Sequence, residues 1–319
     1  MDEFYHRCHA EERLGQLVRD RNPGGTQAAV RDLYLASCEI GEYTVRAFDQ
    51  PRAWRLCLDG GADGLEEACF RVQGVLCGKD LPPVILNGNK SSRLRARKFL
   101  QQNVKLTGFG NDDMLQCIKK IEGVYLKMSN HFKEGTLEPW QPSIFDGNVA
   151  LEANTRLFTL ASHSTAGDVV DFAPHVDPDG RLRELMETEY VHTSDNRVDY
   201  MEQIISPGGA TFYKAVDPVA FKHGDIVEAT VAFAVIPMKN NRAKMHVLLR
   251  ALALLDQTER NTAAILRMRQ RYRMIDFGTA VKGKAQPVLK RKAVYYDTDA
   301  DTEDANQRLS RMRVDSDSD

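Results

Sequence analysis

The stretch that decides the fold reads Phe221-Lys-His-Gly-Asp-Ile-Val-Glu-Ala-Thr-Val-Ala-Phe-Ala-Val-Ile-Pro-Met-Lys-Asn-Asn-Arg-Ala-Lys-Met-His-Val-Leu-Leu-Arg250. Side chains alternate from Ile226 to Pro237 and again after Arg242, which is the period-two pattern of β-strands. Two asparagines lie between the runs, and asparagine tolerates the positive φ of a tight hairpin turn. The stretch therefore predicts an antiparallel hairpin. One side of its return strand carries Arg242, Lys244, His246, Leu248 and Arg250.

Turn sequences recur around this hairpin, between residues 143 and 255. They separate short runs rich in valine, isoleucine, phenylalanine, tyrosine and threonine. This alternation of short strands and turns is typical of a β-barrel or sandwich. The sequence therefore predicts a β-rich core at residues 139–256.

Helical signals lie on both sides of that core. Apolar residues recur at helical spacing before it, in residues 26–47, 51–75 and, most clearly, 114–132, and residues 92–102 fit a short basic helix. After it, Asp256-Gln-Thr-Glu259 fits a capping box at the start of a helix. We therefore expect an α+β chain with four parts. They are a mainly helical region at 1–138, the β-rich core at 139–256, a basic helix or extension at 257–296 and a disordered acidic tail at 297–319.

The composition excludes several classes of protein. The 319 residues include 43 basic and 45 acidic ones, so no global field favours nucleic acid or an anionic membrane. No apolar run approaches the roughly 18 residues of a membrane span, and the charged start lacks a signal-peptide core. We expect an intracellular protein, cytoplasmic or nuclear, with no membrane contact. Its six cysteines lack Cys-x-x-Cys spacing, so we expect reduced thiols.

His175 and Asp177 are the candidate metal ligands, in Phe172-Ala-Pro-His-Val-Asp-Pro-Asp-Gly180. If this segment is extended, both side chains project to the same side. An imidazole and a carboxylate so placed supply two corners of the 2-His-1-carboxylate triad that holds iron(II). His246 is the candidate for the third ligand. Two alternatives stay open: Asp-Pro-Asp-Gly is strong turn chemistry, and the strand side that carries His246 is also typical of a solvent-facing one.

The hairpin region resembles a known enzyme family. Gly224-Asp225, the strand after it and Arg242 resemble the last strands of the double-stranded β-helix of iron(II)/2-oxoglutarate oxygenases. In that family a Gly-Asp enters a strand that ends in the distal histidine, and a later basic residue pairs with the 2-oxoglutarate carboxylate. The resemblance implies iron(II) and 2-oxoglutarate as cofactors, with Arg242 or Arg250 on the carboxylate. The chain departs from the family at Phe233, which stands at the histidine position.

A second resemblance covers residues 190–256. This stretch is similar to an uncharacterised protein family that is abundant in mushroom-forming fungi. The resemblance implies ancestry and no activity.

A basic segment follows the core. Residues 267–294 carry nine basic residues against one acid, Asp276. The segment is typical of a phosphate-binding surface or a nuclear-import signal. It is equally typical of a solvated segment, or of one paired with the tail, which has eight acidic and three basic residues. The candidate nucleic-acid contacts are Arg267, Arg269, Arg271, Arg273, Lys290, Arg291 and Lys292.

Two functions are consistent with these patterns. The first is a non-catalytic interaction protein on a degenerate oxygenase-like barrel, with nucleic acid or a protein as partner through the basic segment. The alternative is an active iron(II)/2-oxoglutarate dioxygenase that uses His175, Asp177 and His246. Convergence of those three side chains would distinguish the two, because metal–ligand bonds to such groups are about 2 Å long.

Overall fold

The computed structural model describes residues 1–21, 33–59, 64–84, 89–164 and 166–278, without the side chains of Lys90, Ala166 and residues 273–278. Residues 1–270 form one compact unit, and residues 271–319 are a second. Of the second unit, only residues 271–278 are described, and they are helical. The tail predicted to be disordered, and the basic segment after residue 278, lie outside the described residues.

The described residues contain both helices and strands, which confirms the α+β class. The helices are α1 (Arg7–Arg21), α2 (Lys90–Ala96), α3 (Asp112–Ser129), α4 (Arg181–Met186) and α5 (Thr258–Gly278). The strands are β1 (Thr44–Asp49), β2 (Arg52–Asp59), β3 (Leu65–Glu67), β4 (Phe70–Asp80), β5 (Gln101–Thr107), β6 (Ser143–Phe145), β7 (Asn148–Arg156), β8 (Thr159–Leu160), β9 (Tyr190–Val191), β10 (Asp199–Ile205), β11 (Thr211–Ala215), β12 (Ile226–Pro237) and β13 (Ala243–Asp256).

One large sheet organises the chain. Its 11 strands follow the order β11-β10-β13-β12-β4-β5-β7-β6, and β1, β2 and β3 join through β2, which pairs with β12. The sheet curls until the Thr155 hydroxyl on β7 donates to the Leu249 carbonyl on β13, at 2.7 Å. The edge strands β6 and β11 nevertheless do not pair with each other. The predicted barrel or double-stranded β-helix is therefore wrong, because closure requires the edge strands to share a hydrogen-bond ladder.

The predicted hairpin is confirmed. Strands β12 and β13 pair antiparallel, from Pro237 opposite Ala243 to Ile226 opposite Asp256. Asn240 has φ 61° and Asn241 has φ 56°, as the turn chemistry requires. On β13, burial alternates as expected, and the buried side begins with Ala243, Met245, Val247 and Leu249.

Much of the region predicted to be mainly helical forms strands. Residues 44–49 and 52–59 pair as the β1–β2 hairpin, and residues 65–67 and 70–80 form β3 and β4. Strand β4 is buried on both faces, so its apolar run is continuous, and such a run does not distinguish a strand from a helix. Position 74 requires glycine for packing, because an added Cβ would lie 3.0 Å from the Met114 side chain of α3.

The predicted boundary at residue 138 does not separate two structural units. Strand β4 pairs with β12, and β5 pairs with β7, so strands from both sides of the boundary form one sheet. The sequence changes character near Pro139 because the long helix α3, which covers one face of the sheet, lies before this residue and strands follow it. The helix predicted at 114–132 is this α3, and the one predicted after Asp256 is α5, so both are confirmed.

Helices cover both faces of the central strands. Helix α3 packs on one face with Met114, Ile118, Ile121, Val124 and Met128, in a cluster with Val72 and Val227. Helices α1 and α5 cover the opposite face, in a second cluster of Ala10, Leu14, Val75, Ile226 and Ala263. The two clusters use alternate residues of β4 and β12, because successive side chains of a strand point to opposite faces.

Gly224 and Asp225 join this second helical layer to the sheet. Gly224 has φ +94°, and an added Cβ would lie 2.6 Å from the Tyr5 ring. The Tyr5 hydroxyl donates to the Gly224 carbonyl at 2.9 Å. Asp225 is fully buried, accepts from the Lys222 backbone N–H at 2.6 Å and pairs with Arg260 of α5 at 3.2 Å. Burial, partly offset by these partners, raises the pKa of Asp225 to about 6. The Gly-Asp pair therefore has a structural role.

Candidate functional site

His175 and Asp177 lie in a turn, so the extended segment expected there is wrong. The Asp177 carboxylate accepts backbone N–H bonds from Leu182 at 3.0 Å and from Arg183 at 2.9 Å. Both of its oxygens therefore cap the start of α4, where unpaired N–H groups attract a carboxylate. His175 lies at the rim of a different feature, a cavity that also contacts His192.

His246 lies on β13 opposite Ala234 and is half-buried. Burial, reinforced by the charges of Lys244 and Arg156, lowers the pKa of His246 to about 4. Neighbouring cations disfavour a bound metal cation as they disfavour a proton. Among the described residues, no three His, Cys, Asp or Glu side chains are grouped so that they could hold a metal ion. The predicted ligands His175, Asp177 and His246 are thus not brought together.

Phe233, at the position of the family's distal histidine, is a core residue. Its side chain is fully buried, and its ring centroid lies 5.8 Å from that of Phe70. The resemblance to the oxygenases therefore fails at this position for a packing reason, because the ring fills the core under β4 and β12.

Both candidate 2-oxoglutarate partners pair with the chain's own carboxylates. Arg242 is exposed and contacts Glu138 at 2.7 Å. Arg250 lies at a bulge, since Thr230 pairs with Ala251 and Val231 with Leu249, so Arg250 has no partner on β12. A bulge redirects the side chain of its extra residue.

Arg250 belongs to an arginine–carboxylate cluster, defined here as Arg55, Glu67, Asp195 and Arg250. The Arg250 guanidinium donates twice to Glu67, from Nε and Nη2, each at 2.7 Å. Its Nη1 donates to the Asp195 carbonyl at 2.6 Å. Arg55 donates to Glu67 at 2.6 Å and to both carboxylate oxygens of Asp195. Arg250 therefore holds a carboxylate, as the family's basic residue does, but the carboxylate is internal.

Three members of the cluster, Arg55, Glu67 and Asp195, line a cavity of about 290 Å³ that also contacts Cys57. Burial alone would raise the pKa of Glu67, but the hydrogen bonds and charges of Arg250 and Arg55 outweigh it and lower that pKa. Burial, reinforced by Glu67, raises the pKa of the Cys57 thiol. At neutral pH the carboxylate is therefore ionised and the thiol protonated, which suits neither proton donation nor nucleophilic attack.

The basic segment is described only in part. Arg267 pairs with Asp2, and Arg269 and Arg271 are exposed on α5. The side chain of Arg273 is outside the described set, as are Lys290, Arg291 and Lys292. Nucleic-acid contact by this segment stays a prediction.

A second basic surface was not recognised from the sequence. We define the Phe99 surface as Arg93, Arg95, Lys98, Phe99 and Arg156. Phe99 is 72% exposed, and the Lys98 ammonium lies 4.8 Å from its ring centroid. Arg93, Arg95 and Lys98 are exposed, and the exposed Arg156 pairs with Gln101 across β5 and β7. The sequence did contain a signal, a basic run that ends in an aromatic residue.

Arg97 explains why Phe99 faces solvent. Its buried guanidinium donates to the Leu185 carbonyl at 3.1 Å, pairs with Glu187 and Glu189, and lies over the Tyr190 ring at 4.5 Å. A 3-10 turn spans Arg97–Phe99. Because Arg97 points inward within this turn, the two residues after it are directed outward.

Comparisons with known proteins give no family. No protein-family model matches this sequence, and no curated protein matches it. Within the described residues, no helix combines the length and the apolarity needed to cross a membrane. The function must therefore be inferred from the chain's own residues.

Proposed function

We propose that the chain is a non-catalytic interaction protein that binds single-stranded nucleic acid through the Phe99 surface. The observation that supports the proposal is an exposed phenyl ring with the Lys98 ammonium 4.8 Å from its centroid, in a segment that also carries the exposed Arg93 and Arg95. Lysine and arginine neutralise phosphates, and an aromatic ring stacks on a base. The fold exposes this apolar ring to solvent, and stacking on a base would bury it.

The single strand is the form that suits this surface. A base inside a duplex has both faces stacked, so only an unpaired base offers its face to Phe99. Helix α2 is short, and Arg95 uses its Nε on the Ser91 carbonyl at 3.3 Å. Contacts from exposed cations to the phosphate backbone would position a ligand without selecting its sequence.

The non-catalytic part of the proposal rests on how the chain uses its reactive groups. Asp177 caps a helix, Arg250 binds Glu67, and Asp225 pairs with Arg260. Asp177, Arg250 and Asp225 are therefore each engaged in a contact that stabilises the fold. Binding at an exposed surface is compatible with all of these contacts.

A binding titration tests the proposal. We expect a labelled oligouridylate of about ten nucleotides to bind at low salt, and Phe99→Ala to weaken binding about tenfold, because stacking contributes about 1–3 kcal/mol per base. We also expect log K to fall with log salt with a slope of about −3 if four phosphates are neutralised. Fluorescence anisotropy measures both quantities.

Phe212→Ala is the matched control, since Phe212 is also an exposed phenylalanine, on edge strand β11. It should leave the affinity unchanged. Equal affinities of Phe99→Ala and the unaltered protein, or binding that does not depend on salt, would contradict the proposal.

A further inference from the structure

A second cavity, of about 260 Å³, lies beside β10 and is separate from the arginine–carboxylate cluster. Its polar lining includes three buried side chains, Gln102, His192 and Tyr200, which are 1%, 4% and 1% exposed. Buried apolar side chains, Phe172, Val176 and Val198, contribute to the rest of the lining. An apolar cavity with a few buried polar groups is the usual form of a small-molecule site. We call it the His192 cavity.

His192 is held in one orientation. Its ring stacks on Phe172 with the centroids 4.0 Å apart, and its Nδ1 lies 2.9 Å from the Leu157 carbonyl. A carbonyl only accepts, so Nδ1 carries the hydrogen. Burial lowers the pKa of His192, although the Leu157 contact opposes this shift. The ring is therefore neutral at pH 7, and its Nε2 presents a lone pair.

The neighbouring polar groups already form hydrogen bonds with each other and with the backbone. The Tyr200 hydroxyl donates to Oε1 of Gln102 at 2.8 Å, and Nε2 of Gln102 donates to the Asn196 carbonyl at 2.9 Å. The hydroxyl hydrogen of Tyr200 is thus used, while its oxygen keeps acceptor capacity. Among the described residues, Nε2 of His192 has no hydrogen-bond partner. The buried polar side of the cavity therefore offers acceptors.

We infer that the His192 cavity binds a small uncharged ring compound whose hydroxyl group donates a hydrogen bond to Nε2 of His192. The acceptors select an alcohol or phenol over an ether or a ketone. An anion is disfavoured at Nε2 of His192, because a carboxylate facing that lone pair would lose its hydration, and the Arg197 guanidinium, which also contacts the cavity, already pairs with Asp199 at 2.8 Å. The volume lies below the usual range for drug-sized ligands, so a single ring is the fitting size. This site shares no residue with the Phe99 surface.

The probes are 4-methylphenol and its methyl ether, 4-methylanisole, which has the same ring and no donor. Titrations are followed through the side-chain nitrogen resonances of His192. We expect 4-methylphenol to shift the Nε2 resonance, and the ether to bind about fivefold to tenfold more weakly, as expected for one lost hydrogen bond. His192→Phe keeps an aromatic ring on Phe172 and should abolish the difference between the two probes.

The comparison of the probes uses the unaltered protein, so it remains decisive if His192→Phe does not fold. Equal affinity for the two probes overturns the inference, and so does binding that leaves the His192 resonances unchanged. His175→Ala, at the rim of the same cavity, should retain the preference for the phenol. Neither probe is charged, so neither reports on the basic Phe99 surface. The two proposals are therefore tested independently.

Discussion

Arg250→Met is expected to lower the free energy of unfolding by about 2–4 kcal/mol, because it leaves Glu67 and Asp195 with one guanidinium instead of two. This range lies below the roughly 3–5 kcal/mol expected for a fully buried pair, since the Glu67 side chain is 24% exposed. Methionine keeps most of the apolar stem, so the effect isolates the lost guanidinium. Urea denaturation measures the change.

Arg242→Met is the matched control for that loss. Arg242 lies just before the same strand and pairs with a single carboxylate, that of Glu138, and its side chain is 58% exposed. Exposed pairs contribute at most about 1 kcal/mol, so the variant should stay close to the unaltered protein. Adding Glu67→Gln to Arg250→Met should recover part of the stability. Equal losses for the two arginine variants would contradict the structural role of the cluster.

Gly224→Ala is the second change with a large expected effect, a loss of about 2–5 kcal/mol. It combines the strain of a positive φ, about 1–2 kcal/mol, with overpacking of about 1–3 kcal/mol. The overpacking arises because the new methyl group would lie 2.6 Å from the Tyr5 ring, a contact that real structures do not show. Thermal and urea unfolding of the variant measure the loss.

Gly209→Ala separates the two contributions. Gly209 has φ +81° but no atom within 4 Å of an added Cβ, so only the backbone strain applies. When Gly224→Ala is made in a Tyr5→Ala background and compared with Tyr5→Ala alone, it should likewise show only the backbone part, because the collision is removed. Similar losses at positions 224 and 209 would mean that the Tyr5 contact has no energetic weight.

The hairpin and α3 were predictable because their patterns are local. The alternation of β13 and the two asparagines specify the strand, the turn and the partner strand within about thirty residues. The entropic cost of closing so short a loop is low. Helix α3 carries one apolar stripe, and Ile118, Ile121 and Val124 bury it as the spacing requires. The N-terminal strands were not predictable in this way, since β4 is covered on both faces by elements distant in sequence.

The candidate metal site failed for a different reason. A His-x-Asp pair before Pro-Asp-Gly is consistent with a strand end or with a helix-capping turn, and only the partners of the Asp177 carboxylate decide between them. His192 was likewise invisible to spacing arguments, because Leu157 and Phe172, which orient its ring, lie 35 and 20 residues away in the chain. Sites assembled from distant segments leave no local pattern.

The central claim is that Asp177 and Arg250 support the fold, that His175 and His246 form no iron site with them, and that the chain acts by binding. Its most direct test is an anaerobic titration of iron(II) with 2-oxoglutarate, followed by visible absorption. We predict no charge-transfer band beyond that of the protein-free mixture. A band that forms with the unaltered protein and disappears in His175→Ala would contradict the claim.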